Sequence, residues 1–275
     1  MNPIGADNNR EPDAVLMSIK EWIQDQTGIR FGPEKIPVLQ SRLESMCLRS
    51  GYKDLHAIQN IISEGKDNAI LLKIIESATT NHTHFYREVE PLEFFQDTIL
   101  NSLKREESWR IWSAASSSGE ELYTLAMLTV EKYGYAFTKN NVSFLGTDVN
   151  QKVIEQAEKG IYNNQRVVDL PDTLKEKWLE KVALGNFSIA QELKDLCTFR
   201  SLNLKRYPWP FTRTFHVIFL RNVLYYFDEK TQSEIVNNAY EVSQPGGWLV
   251  TSVTENVGTF KHNWKKVRAG IYQKQ

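Results

Sequence analysis

The sequence predicts an α/β protein: a doubly wound parallel sheet preceded by a separate helical domain. Three observations lead there. No strand signal occurs before residue 108. From there on the short apolar runs "WRIWSA", "VSFLGTD", "FHVIFLRN" and "GGWLVTSV" alternate with helical stretches, the grammar of a sheet with crossover helices on its faces. A run of small residues, "SAASSSGEE" (113–121), follows the first of these strands, at the place where open α/β sheets bind ligands.

The elements follow in order. Residues 1–12, "MNPIGADNNREP", are polar and expected to be disordered. A helical domain is expected over 13–80. Val15, Leu16, Ile19, Trp22 and Ile23 share one face of its first helix, which Gly28 closes. Pro33 opens a second helix, with Leu39, Leu43 and Cys47 inward and Gly51 past its end. Residues 54–63 and 68–78 supply two more, the last striped by Ile70, Leu71, Ile74 and Ile75. The α/β domain is expected over 81–275. Its rhythm breaks at about 163–202, where a Lys/Glu/Trp-rich helix (about 171–182) precedes "NFSIAQELKDLCTFRSL". That stretch holds two strand-like runs, so a small inserted β-hairpin is expected.

Composition narrows the function classes. The 275 residues have 41% hydrophobic and 24% charged side chains, with net charge −1. That suits a soluble globular chain and shows no basic excess for nucleic acid. No long apolar run suggests membrane insertion, and two distant cysteines, Cys47 and Cys197, fit a reducing, cytoplasmic setting. The five histidines lack metal-ligand spacing, so no metal site is expected.

The turn "SAASSSGEE" carries Glu120 and Glu121 where a phosphate-binding loop would carry a Lys. Ala114, Ala115 and Gly119 let a ligand approach the backbone, and the following helix offers free N–H groups. A zwitterion suits this site better than a pyrophosphate, because its ammonium can meet a glutamate while its carboxylate meets N–H groups. Ser117-x-x-Glu120 and Ser118-x-x-Glu121 equally fit a structural capping box. Asp148 closes the second strand, where an acid grips ribose hydroxyls; it also fits the N-cap of the next helix. Turn and acid together suggest an adenosine ligand without phosphates, of which S-adenosylmethionine is the common example.

"TTNHTHFYRE" (79–88), "WSAASSSGEELYTLAM" (112–127), "GTDVNQKVIEQAEKGIY" (146–162), "LNL" (202–204), "FLRNVLYYFD" (219–228) and "PGGWLVTSVTEN" (245–256) occur in the order found in the CheR family of chemotaxis receptor glutamate methyltransferases. The chain resembles that family from about residue 14 to its end. The resemblance implies a Rossmann-like, S-adenosylmethionine-dependent methyltransferase domain with an inserted antiparallel β-subdomain and a helical N-terminal domain. It implies that Asn81, Thr83 and Arg87 line cofactor and active site, and that Glu120 meets the methionine part. Asp148 would then bind ribose, Asn203 and Leu204 flank adenine, Arg221 and Asn222 lie beside the cofactor, and Tyr226 stands in the active site. The implied reaction is methyl transfer to receptor glutamates, with Arg87 and Tyr226 as the catalytic pair. The partner implied is the cytoplasmic domain of methyl-accepting chemotaxis receptors.

Departures from the family pattern shape the remaining expectations. The second helix, "QSRLESMCLRSG", holds only Arg42 and Arg49 with Glu44 among them, a thin basic face for an acidic substrate. The turn "ALGN" (183–186) is short, which argues for direct docking over capture of a receptor C-terminal pentapeptide by strand addition. Leu122 stands where many relatives have proline, a first-turn position that tolerates either. Two alternatives stay open: a methyltransferase with a different acceptor, and a non-catalytic S-adenosylmethionine-binding regulator. Neither Arg87 nor Tyr226 would be needed in the second.

Overall fold

The structure, a computed structural model, describes residues 14–65, 68–79 and 82–275. The expected disorder of residues 1–12 and the cofactor role of Asn81 therefore fall outside the described residues. The chain divides into two compact units, Met1–Thr79 and Thr80–Gln275.

The first unit is built from helices α1 (Ala14–Thr27), α2 (Ile36–Ser50), α3 (Leu55–Glu64) and α4 (Asn68–Ala78). A 3₁₀ turn at Pro33–Lys35 leads into α2, and Gly51 ends it in the left-handed region (φ 77°), a geometry that costs glycine least. Asp54 caps α3 by accepting from Ala57 N. Leu16, Ile19, Ile23, Leu39, Leu43, Ile58 and Ile74 form the core of this unit.

The second unit opens with α5 (Val89–Phe94), continued by a π-helical turn (Phe95–Ile99) and a last turn at Leu100–Ser102. Next come β1 (Trp109–Ala114), α6 (Glu120–Tyr133), α7 (Tyr135–Asn141), β2 (Val142–Asp148) and α8 (Gln151–Lys159). The insert holds β3 (Ile161–Tyr162), α9 (Asn164–Val167), α10 (Asp172–Trp178), β4 (Leu179–Lys181) and β5 (Phe187–Ile189). Then α11 (Gln191–Leu196), β6 (Cys197–Ser201), β7 (Phe215–Phe219), α12 (Glu229–Glu241), β8 (Ser243–Val250), β9 (Lys265–Arg268) and β10 (Ile271–Gln273) complete the chain.

Seven strands form the main sheet in the order β6-β2-β1-β7-β8-β10-β9. The first five are parallel and the last two join antiparallel. The alternation of β1 explains why it carries apolar residues on both faces. Trp109 and Ile111 pack into one core with α6 and the insert. Trp112 and Ala114 pack into the other with Trp209, Ile218 and Leu249. Successive strand residues face opposite sides, so a strand covered on both faces places apolar residues on each of them.

The insert differs from its expected form. Residues 197–201 are not the second arm of a hairpin: β6 pairs parallel with β2, from Phe144↔Cys197 to Asp148↔Ser201, as the edge of the main sheet. The inserted antiparallel sheet is instead β3-β5-β4. The expected helix over 171–182 stops at Trp178, because Leu179–Lys181 pair with β5. Local pattern showed two strands but not their partners, and strand pairing is non-local. The C-terminal β9–β10 pair and the helix over 89–102 were not anticipated either.

Candidate active site

The sheet reverses its winding at β1, with β2 and β6 on one side and β7 and β8 on the other. The loops after β1, β2, β6 and β7 therefore gather at the carboxyl ends around a switch point. Ala114, Asp148 and Ser201 are the last residues of β1, β2 and β6. The loop after β7 begins at Leu220 and contains Arg221 and Asn222.

Left-handed backbone concentrates in this region. Ala115 (φ 64°), Ser117 (φ 48°), Tyr86 (φ 61°), Glu88 (φ 54°) and Asn222 (φ 56°) all adopt it without being glycine. Such conformations cost of order 1–3 kcal/mol each and persist only where surroundings impose them. For the β1 turn the imposing groups are visible. Ser116 N donates to Thr147 O at 2.8 Å, and Ser117 N donates to Asp148 Oδ2 at 3.0 Å. Asn150 N reaches Asp148 Oδ1 at 2.9 Å. The N-cap of α8 is Asn150, which accepts from Lys152 N, so Asp148 is not the cap. It joins the loops that follow β1 and β2. Burial raises its pKa to about 6, against the lowering effect of the backbone N–H groups.

Gly119 (φ 93°) stands at the N-cap of α6 with no side-chain cap bond. A Cβ there would lie 2.8 Å from Ala157 Cβ and 3.0 Å from the Phe199 ring. Its missing side chain thus serves helix–sheet packing. The capping box does not form, and Glu120 takes another role. Fully buried at the start of α6, it accepts from Ser118 Oγ at both carboxylate oxygens, 3.0 and 2.8 Å away. Arg166 Nη1 lies 3.2 Å from Glu120 Oε1 and also donates to Thr83 O. Tyr162 OH fixes Ser118 from below through its carbonyl, at 2.6 Å. Burial pushes the Glu120 carboxyl up, opposed by its own backbone N–H, Arg166 and Ser118.

The second acid, Glu121, turns toward the sheet. Ser113 Oγ donates to its Oε1 at 2.7 Å and Arg221 Nη1 to its Oε2 at 3.0 Å. The buried Arg221 guanidinium also lies 3.2 Å from Glu88 Oε2 and donates to Arg87 O at 2.7 Å. Asn222 Nδ2 and Ser252 Oγ donate to Glu88 Oε1 at 2.8 and 3.0 Å. Burial raises the Glu88 carboxyl, but Arg221, Asn222 and Ser252 together outweigh it and leave its pKa below the usual range. Arg221 and Asn222 thus hold the 86–88 segment in its left-handed path, a role the sequence did not disclose. Arg87 itself is half-buried and donates from Nη1 to His82 O at 2.7 Å.

Tyr226 lies in a 3₁₀ turn, Leu224–Tyr226, its ring 4.4 Å from that of Tyr225. Glu255, buried, holds that turn: Asn222 N, Val223 N and Leu224 N donate to it at 2.8 Å each, and Ser252 N at 3.1 Å. Beside β6, Asn203 accepts from Lys205 N at 2.9 Å and Leu204 is buried.

Sequence reasoning missed Arg166, Glu88, Tyr162 and Glu255. Glu88, Tyr162 and Glu255 lie inside the quoted motifs, so position was a signal for them. Arg166, in "NNQRVVDL", carried none. What gathers is a strand-end acid, a buried acid and small residues between. The Ser117 hydroxyl, buried without a partner among the described residues, adds a polar group awaiting a ligand. This donor and acceptor set fits a nucleoside joined to an amino acid.

Comparison with known proteins gives the same direction. Residues 81–272 match the family model described as CheR methyltransferase, SAM binding domain. The chemotaxis protein methyltransferase of Borreliella burgdorferi is 32% identical over 265 residues, 94% of this chain and 93% of that protein. That of Escherichia coli K12 is 30% identical over 247 residues, 89% of this chain and 85% of that protein.

Proposed function

Because the chain belongs to the CheR methyltransferase family, with its S-adenosylmethionine-binding domain, we propose that it methylates glutamate side chains in the cytoplasmic domain of chemotaxis receptors. S-adenosylmethionine is its cofactor. The observation that carries the receptor reading is the extent of the likeness. Chains named chemotaxis protein methyltransferase match this one along 94% and 89% of its length, so the likeness spans the helical unit as well. In this reading the enzyme works in the cytoplasm and sets receptor adaptation.

The chemistry asks little of a base. A glutamate side chain is already ionised at neutral pH. What it requires is desolvation and aim toward the electrophilic methyl that the cofactor supplies. Arg87 can hold the acceptor carboxylate: one terminal nitrogen is engaged by His82 O, and a guanidinium has five N–H donors. Tyr226 can donate to the second acceptor oxygen, from a turn made rigid by Glu255. Asp148 takes the ribose, Asn203 and Leu204 the adenine, and Thr83, Ala114 and Gly119 line the space between.

One observation favours a different acceptor. The basic face of α2 is thin, with Arg42 and Arg49 and with Glu44 among them. A single assay separates the readings. The protein is incubated with methyl-labelled S-adenosylmethionine and membranes bearing the chemoreceptors of its own cell. Label on receptors, released as methanol by mild base, is the expected result. Label on other molecules moves the acceptor elsewhere, and cofactor binding with no transfer at all makes the chain a regulator.

A further inference from the structure

Arg166 reaches the acid end of the pocket from the inserted segment, where no motif marked it. Its Nη1 lies 3.2 Å from Glu120 Oε1, and the same nitrogen donates to Thr83 O. Its backbone N–H donates to Asn163 Oδ1 at 3.2 Å, and its carbonyl accepts from Phe85 N at 2.9 Å. The residue is thus clamped between the insert and the 83–85 segment. Its side chain is 27% exposed, while that of Glu120 is fully enclosed.

Among the described residues, Arg166 is the only basic side chain within 4.0 Å of Glu120. Its Nε and Nη2 make no hydrogen bond with described residues. A salt bridge with one enclosed and one partly exposed member is weak evidence for stability, so stability alone explains the arrangement badly. The arrangement does suit a particular ligand group. In an α-amino acid the ammonium and carboxylate hang from one carbon, so their two receptors must be neighbours of opposite charge. Glu120 and Arg166 are such neighbours. Backbone N–H groups were the partner first expected for that carboxylate; a guanidinium fork binds it more strongly.

We infer that Arg166 binds the carboxylate of the cofactor's amino-acid end, beside the ammonium held by Glu120. The pair reads a zwitterion. This rests on the reading of Glu120 as the ammonium partner.

Calorimetry on the intact chain tests it with three probes: S-adenosylhomocysteine, its decarboxylated form, and 5′-methylthioadenosine, which lacks the amino-acid end. Arg166→Gln should lower S-adenosylhomocysteine affinity about 10- to 100-fold, the scale of a charged hydrogen-bonded pair. The decarboxylated form should bind Arg166→Gln as tightly as wild type or more so, because a guanidinium no longer faces its ammonium. Methylthioadenosine should bind both alike, and Arg166→Lys should restore part of the loss. Unchanged S-adenosylhomocysteine affinity in Arg166→Gln overturns the inference. So does an equal loss for all three probes, which marks a structural defect. Glu120→Gln separates the premise: if it leaves S-adenosylhomocysteine binding intact, the ammonium reading fails, whatever Arg166 does.

Discussion

At the end of β2, Asp148 is held by backbone N–H groups from two loops, yet burial raises its pKa to about 6. An unfolded aspartate titrates near ~3.9. As pH rises, the unfolded chain therefore loses this proton first. The stabilising contribution of Asp148 is complete below about pH 4 and lost as pH passes about 6. Ribose hydroxyls donating to the carboxylate favour the ionised form, so S-adenosylhomocysteine affinity should fall as pH drops below about 6. Calorimetry through that interval checks this, and Asp148→Asn should remove the step. Asp148→Ala should weaken cofactor binding at neutral pH by about 1–3 kcal/mol; unchanged affinity would leave it only the role of joining two loops. At Arg87 the expectation is a kinetic one. Arg87→Ala should lower turnover by about 100-fold or more, the scale of losing an electrostatic group aimed at the reacting atoms. S-adenosylhomocysteine affinity, measured alongside, should change less. Wild-type turnover would remove Arg87 from the mechanism.

Between β7 and α12 the 3₁₀ turn that carries Tyr226 depends on an acid from another loop. Glu255 accepts from four backbone N–H groups, and burial pushes its own carboxyl up. Glu255→Ala leaves those donors buried and unpaired, which should cost about 3 kcal/mol or more in denaturant unfolding. Glu255→Gln keeps acceptor capacity and should lose less. At Gly146 in β2, a Cβ would lie 2.6 Å from the Phe199 ring and 2.9 Å from Ser116 Oγ. Gly146→Ala should therefore destabilise by about 1–3 kcal/mol through overpacking, seen as a lower unfolding midpoint. These element-scale dependences explain what pattern reading caught and what it lost. Apolar runs and glycine stops located α1–α4, β1, β2, β7 and β8, because burial and turn geometry leave a local trace. The partner of β6 left none: "TFRS" has the same alternation whether it pairs with the insert or with β2.

At the scale of the whole molecule, every described residue proposed to meet the cofactor belongs to the second unit, Thr80–Gln275. A fragment of residues 80–275 should then bind S-adenosylhomocysteine with the affinity of the full chain. A tenfold or greater loss in calorimetry would show that the helical unit contributes to the pocket. The family and its cofactor were legible from the ordered motif blocks alone, as were the acids Glu120 and Asp148 as site candidates. The sequence by itself determined α1–α4, β1, β2, β7, β8 and the residue types of the turn after β1, because those follow from neighbours along the chain. Only the tertiary structure decided that Arg221 locks Glu88 and Glu121, that Glu255 holds the Tyr226 turn, and that Arg166 meets Glu120. Each of those contacts joins residues more than 30 positions apart, and charge at such separation finds its partner only once the sheet has brought the loops together.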